Sequence, residues 1–229
     1  MKIITFYADA NLPDKAKRNQ EGFDWRKAIL MLEKSAARFG YKTLLVTDRE
    51  TEFDAPWLRT GDAKHEGIMH WLLGAQAAAM LAIDEPAILV SPDTLIYSRL
   101  DFLFGSWDIA LLTRQKPKPI VNSVIAFKPS YEVFKAWCDV IKEAESLPPE
   151  SIEWGADIDA VVNVFKVAPL EARARNVAGV RAMMIPTTGI FQSAPKVGKV
   201  SPMPAAIWDF KGGRKARMTE YARLINADI

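Results

Sequence analysis

The feature that most constrains the fold is a rhythm of short apolar runs alternating with segments of helical spacing. Ile3–Tyr7 reads as a first strand. Asp24 is placed as the N-cap of a helix whose apolar face is Ala28, Leu32, Ala36 and Phe39, and Gly40 suits the position just past its end. Thr43–Thr47 reads as a second strand, residues 66–82 as a second helix, and Ala87–Val90 as a third, fully buried strand. Strand and helix in alternation predict a parallel sheet with helices on both faces. The second half is less regular and reads as appended to that sheet. It offers strands at Asp108–Thr113 and Ile120–Phe127, a helix over 130–145 stopped by Pro148-Pro149, and a helix at Asp157–Phe165. A strand over 180–186, a loop over 187–203, a short strand Ala205–Phe210 and an amphipathic helix Arg214–Ile225 follow. The expected class is α/β, with a Rossmann-type mixed, mainly parallel sheet flanked by helices.

Composition excludes several chemistries. With 229 residues and 49% hydrophobic content, the chain can bury a substantial core without staples. The formal charge of +2 provides no global field for nucleic acid or anionic membrane. Cys138 is the one cysteine, so no intramolecular disulfide forms, and its apolar-periodic setting reads as packing rather than nucleophile. His65 and His70 are too few for a histidine-rich zinc site, and no nucleophile elbow accompanies them. No signal-peptide pattern and no apolar run of about 18 residues is found, so a cytoplasmic location without membrane insertion is expected. Neither a Gly-x-Gly-x-x-Gly after the first strand nor a Walker A pattern is present.

Chemistry concentrates where the third strand ends. Ala87–Val90 gives way abruptly to Ser91-Pro92-Asp93-Thr94. A carboxylate at the C-terminal mouth of a buried strand faces the crevice where open α/β sheets bind ligands. Such a group suits a hard divalent cation bridging to a diphosphate.

Three segments resemble the GT-A nucleotide-sugar glycosyltransferases, nearest to the glycogenin-like and lipopolysaccharide galactosyltransferase-like group. Ile88–Ile96 resembles that family's strand ending in an Asp-x-Asp metal motif. Pro119–Phe127, with Asn122-Ser123, resembles its Asn-Ser-Gly turn, and Ala206–Lys215 resembles its C-terminal His-Phe-x-Gly-x-x-Lys motif. The resemblance implies a single domain over 1–229, with a nucleotide-binding half (1–115) and an acceptor-side half (116–229). It implies a metal-dependent glycosyltransferase using a nucleotide-diphosphate sugar and Mn²⁺ or Mg²⁺, with Asp93 and Asp209 as metal ligands. Ser91 replaces the family's first metal-motif Asp, and Asp209 replaces its usual His. A carboxylate at 209 still suits a hard cation, and the Ser91 hydroxyl could bond a ribose or a metal-bound water.

Sugar transfer needs charge to stabilise the leaving diphosphate, alignment of the reacting atoms, and a carboxylate near the sugar. Lys211, Gly212, Gly213, Arg214 and Lys215 are candidates to wrap the phosphates; the alternative is a solvated basic turn. Asp157 and Asp159, with Asn122, are the candidate catalytic residues. The i, i+2 spacing lets only one of the two aspartates face the site, and both could instead serve as cap and first-turn compensation. Tyr7, Ala8, Thr47 and Asp48 end the first two strands at the expected nucleoside edge, with Tyr7 either stacking on a base or packing inside. Ser123 is a candidate for sugar or acceptor hydroxyls, and Trp154 and Trp208 for stacking on a sugar face. Arg173, Arg175, Arg181, Lys196 and Lys199 could line a phosphate-binding face. The acceptor is thus open among saccharide, protein and modified nucleic acid. A DNA-modifying glycosyltransferase and a non-catalytic nucleotide-sugar-binding module stand as alternatives.

Overall fold

The structure is a computed structural model, which describes the chain apart from residues 10–22, 55, 64–66, 116–117 and 148–155, and the side chain of 156. Most of the polar loop after the first strand, His65, Pro117, Pro148-Pro149 and Trp154 therefore lie outside the described residues.

Eleven described strands form two sheets. The large one is ordered β3-β2-β1-β4-β7-β6-β9-β8, the small one β10-β11-β5. The strands are β1 (Lys2–Tyr7), β2 (Lys42–Thr47), β3 (Leu58–Arg59), β4 (Ala87–Val90), β5 (Thr94–Ile96), β6 (Ile109–Thr113), β7 (Ile120–Phe127), β8 (Ala174–Val177), β9 (Val180–Pro186), β10 (Phe191–Ser193) and β11 (Ile207–Asp209). The helices are α1 (Trp25–Ala37), α2 (Ile68–Ala82), α3 (Tyr131–Ser146), α4 (Ala156–Phe165) and α5 (Met218–Arg223). Pairings β1–β2, β1–β4, β2–β3 and β6–β9 are parallel, and β7 runs antiparallel to both β4 and β6. The expected mixed, mainly parallel sheet flanked by helices is what forms.

Period-2 alternation distributes the core. Ile4, Leu89, Leu111 and Ile125 face α2, α3 and α4, packing on Leu73, Trp137 and Phe165. Ile3, Ile88, Val90, Ala110, Leu112, Val124 and Ala126 face the other way, onto Leu32 and Ala36 of α1 and Ile207 of the small sheet. Both faces are covered, which is why the central strands read as continuous apolar runs. Asp24 caps α1 by accepting the Lys27 amide at 3.0 Å, and Gly40 adopts φ +77° beyond its end, both as expected.

The differences from expectation lie in short pieces. Leu95 and Ile96 belong to a strand of the second sheet, and β3, β8 and β10 were not anticipated. Strands of two to four residues carry too little periodicity to be separated from loop. The C-terminal helix is shorter than expected: Gly212–Arg217 is a 3₁₀ segment and only Met218–Arg223 is α-helical. Gly212, at φ +61°, begins that segment outside helical geometry. Strands of the second half extend the first-half sheet directly, since β7 pairs with β4. The short connection from Thr113 to Ile120 permits only a reversal, because a parallel crossover needs about a dozen residues. That reversal brings the start of β7 to the edge where β1, β2, β4 and β6 end.

Candidate active site

Asp93 follows β4 and directly precedes β5; Asp209 ends β11. Antiparallel pairing of β5 with β11 sets Asp209 opposite Thr94, and the Phe210 amide donates to the Asp93 carbonyl at 2.9 Å. Two residues far apart in sequence are thus stitched side by side. Both side chains are buried. Asp93 Oδ1 accepts from the Ser91 hydroxyl at 2.5 Å, and Asp209 Oδ2 accepts from Ser193 Oγ at 2.9 Å. Asp209 Oδ1 has no hydrogen-bond partner among the described residues. Burial, and then the neighbouring negative charge of Asp93, push the Asp209 carboxyl up to about 6. Lys211, whose ammonium and backbone amide lie toward it, only partly offsets this.

The basic residues flank this pair. Lys215 Nζ lies 4.0 Å from Asp93 Oδ2 and 4.3 Å from the ring centre of Trp25, with Phe23 at 5.7 Å. An ammonium against aromatic faces is held by their quadrupoles, and this one is only 8% exposed. Burial lowers its pKa, while Asp93 opposes the shift. Lys211 is exposed, and its charge acts on Asp157, Asp209 and Lys215 alike. Arg114, just past β6, lies in no pattern that singles it out. It is half-buried, its Nε donates to the Lys118 carbonyl at 3.1 Å, and the Asp209 charge supports its protonated form against burial. Arg214 has an Nε without partner among the described residues, and a long 3.4 Å contact to the Lys211 carbonyl. A Cβ at Gly212 or Gly213 would meet nothing within 4 Å, so the space over this turn is open. The positive φ of Gly212 is a demand of the turn, not of crowding.

Within reach of the same Lys211 charge as Asp209, Asn122 Nδ2 donates to Asp157 Oδ2 at 2.5 Å. Burial raises the Asp157 pKa against this hydrogen bond. Asn122 Oδ1 and Ser123 Oγ are buried without partners among the described residues. Buried polar atoms are normally satisfied, and these two lie beside the Asn122–Asp157 hydrogen bond. Asp159 points elsewhere and pairs with Lys118 at 2.5 Å. Of the two aspartates in α4, Asp157 is buried against Asn122 and Asp159 is held by Lys118.

The expected nucleoside edge is partly committed to the fold. Asp48 is buried, with its oxygens accepting the Thr51 amide at 2.9 Å and the Ala63 amide at 3.2 Å. It organises the loop after β2. Tyr7 lies half-buried beside Trp25 and Phe53, with ring centres 6.1 and 6.4 Å away. Ala8 lies beyond it, next to Asp9, whose amide donates to Thr51 Oγ1 at 2.7 Å. Thr47 is buried with an unpartnered hydroxyl among the described residues. Trp208 does not reach a cleft: it is fully buried, stacked on Tyr97 at 4.2 Å and edge-on to Tyr221, so it packs the core rather than meeting a sugar. Arg173 and Arg175 are engaged by Glu171 at 2.7 and 3.2 Å, which removes them from a free phosphate-binding face.

The residues fit a divalent cation in one specific way. Among the described residues no group of three His, Cys, Asp or Glu side chains is gathered for a metal. Two carboxylates with a spare oxygen and mutual repulsion suit a hard cation whose remaining ligands come from a substrate's phosphates and water.

The mixed α/β fold has a counterpart among solved structures. A glycosyltransferase involved in glycosylation of the major capsid of PBCV-1 superposes with a TM-score of 0.56 at 10% identity, covering 97% of this chain and 100% of that one. The apo-form glycosyltransferase GlyE of Streptococcus pneumoniae TIGR4 gives a TM-score of 0.46 at 15% identity, covering 74% of this chain and 45% of GlyE. A hypothetical transferase from Thermus thermophilus gives 0.46 at 13%, covering 81% and 92%. Only the first supports the fold, and at 10% identity it supports nothing finer. No protein-family profile matches the chain, and no curated protein matches it in sequence.

Proposed function

We propose that the chain is a nucleotide-sugar-dependent glycosyltransferase that uses Mn²⁺ or Mg²⁺. The observation that supports this reading is Asp93 and Asp209 side by side on adjoining backbones, with an orphan oxygen on Asp209 and with the Lys211 charge reaching both Asp209 and the Asn122-held Asp157. The cation supplies charge neutralisation for the leaving diphosphate. Asp93 and Asp209 hold it; Lys211, Lys215 and Arg214 gather the phosphate oxygens and stabilise charge that grows on them as the glycosidic bond to the nucleotide breaks.

Asn122 fixes the Asp157 carboxylate by donating to Oδ2, and that carboxylate serves as base or as stabiliser of the oxocarbenium-like centre. Asn122 Oδ1 and Ser123 Oγ orient sugar hydroxyls. Asp159 supports this arrangement through Lys118 and does not touch the sugar. Tyr7, Ala8, Thr47 and Asp48 frame the nucleoside end, Asp48 by holding the loop in shape. The Ser91 hydroxyl holds Asp93 in place. The acceptor is open among a saccharide, a protein and a modified nucleic acid, the last weakened because two of the arginines that would serve it are paired with Glu171.

The test is release of nucleotide from UDP-, GDP- and CMP-sugars with Mn²⁺ present. Turnover of at least one donor, lost in Asp157→Ala and Asp93→Ala, is expected. Binding of a nucleotide sugar without turnover under any acceptor condition would instead identify the non-catalytic binding module.

A further inference from the structure

We infer that Lys215 is a resident counter-ion that keeps the Asp93–Asp209 pair closed to a bare divalent cation, so that the cation enters together with the diphosphate. This rests on the metal reading above. Asp93 offers two oxygens: Oδ1 is engaged by Ser91, and Oδ2 faces the Lys215 ammonium at 4.0 Å. Asp209 Oδ1 is without a partner among the described residues, while Oδ2 accepts from Ser193. A divalent cation that takes the least engaged oxygen of each aspartate therefore meets the one that Lys215 already faces. Metal–oxygen bonds of about 2.0–2.6 Å would leave the two cations within a few ångströms of each other, where repulsion in a buried setting is large.

Lys215 cannot simply withdraw. Its ammonium sits on the face of Trp25 beside Phe23, nearly sealed from solvent, and Lys211 adds a further positive charge nearby. Leaving Asp93 alone would strand a buried charge. A diphosphate removes the conflict. Its oxygens give Lys215 a new anionic partner and provide the metal with the ligands that the protein lacks. The exposed Lys211 can follow the same phosphates. Trp25 is then a positioning residue, which sets where the ammonium rests before and after the exchange.

Mn²⁺ binding, followed by the electron paramagnetic resonance signal of free Mn²⁺ and corrected with a protein-free UDP control, tests this. Wild-type protein is expected to bind Mn²⁺ at least about tenfold more tightly with UDP than without. Lys215→Met is expected to bind Mn²⁺ alone about tenfold more tightly than wild type, with a smaller gain from UDP, while Lys215→Arg retains the wild-type pattern. Circular dichroism establishes that the variants are folded. Wild-type Mn²⁺ affinity that does not change with UDP overturns the inference without any variant. So does a folded Lys215→Met whose affinity for Mn²⁺ alone is unchanged or weaker. Absence of Mn²⁺ binding by wild type and Lys215→Met, even with UDP, overturns the metal reading together with this one.

Discussion

Asp157 illustrates what burial does to a single carboxyl. It is sealed at the start of α4 with one hydrogen bond from Asn122, and its pKa is raised above the ordinary carboxylate range. The folded state therefore favours the protonated form. This contribution is fully present below the unfolded carboxyl's pKa, near about pH 4, and is lost as pH rises through the higher folded value. Asp157→Asn keeps an acceptor for Asn122 Nδ2 but has no charge to bury. It is expected to melt higher than wild type near about pH 8, and to gain less on acidification to about pH 5, in a thermal-denaturation series. Activity should fall in the same variant if the carboxylate acts on the sugar. At the other wall, Asp209→Asn is expected to weaken Mn²⁺-dependent stabilisation by UDP by more than about tenfold in apparent affinity, read by thermal shift. An unaltered shift would remove Asp209 from the ligand set.

Elements position these residues through a few buried bonds. Ser35 of α1 donates to the Leu32 carbonyl at 2.8 Å and accepts the Ile96 amide at 3.0 Å, tying the helix to the small sheet. Ser35→Ala leaves that buried amide without a partner and is expected to cost about 1–3 kcal/mol in chemical denaturation. Gly212→Ala forces a side chain into φ +61°, an expected loss of roughly 1–2 kcal/mol with displacement of Lys215, visible as weaker nucleotide binding. Legibility in the sequence follows element size. β4 and β7 match their expected limits because four and eight apolar-rich residues bounded by turns leave little choice. β5 and β11, three residues each, bring the acidic pair together, Asp93 just before the one and Asp209 at the end of the other. Their pairing depends on which strand lies beside which, and that information is not local. Asp93 and Asp209 could thus be selected from flanking residues, whereas Arg114, the Trp25 shelf under Lys215 and the internal use of Asp48 emerge only from tertiary placement.

The whole molecule rests on one covered sheet. Phe127 is fully buried where β7 joins β4 and β6, against the helices of one face. Phe127→Ala is expected to lose about 3–5 kcal/mol, and roughly 10 °C of melting temperature follows from the per-kilocalorie shift typical of chains this size. The α/β class is readable from the alternation of periods; the pairing of β7 with β4 is not, because it joins segments far apart in the chain. No described helix is long and apolar enough to cross a membrane.

One consequence concerns mechanical tolerance. The link from the Phe210 amide to the Asp93 carbonyl belongs to the small sheet, not to the eight-stranded one. It works as a rivet that holds the backbones of the two acids together from within the smaller layer. The Phe210 amide should accordingly be among the last to exchange with deuterium.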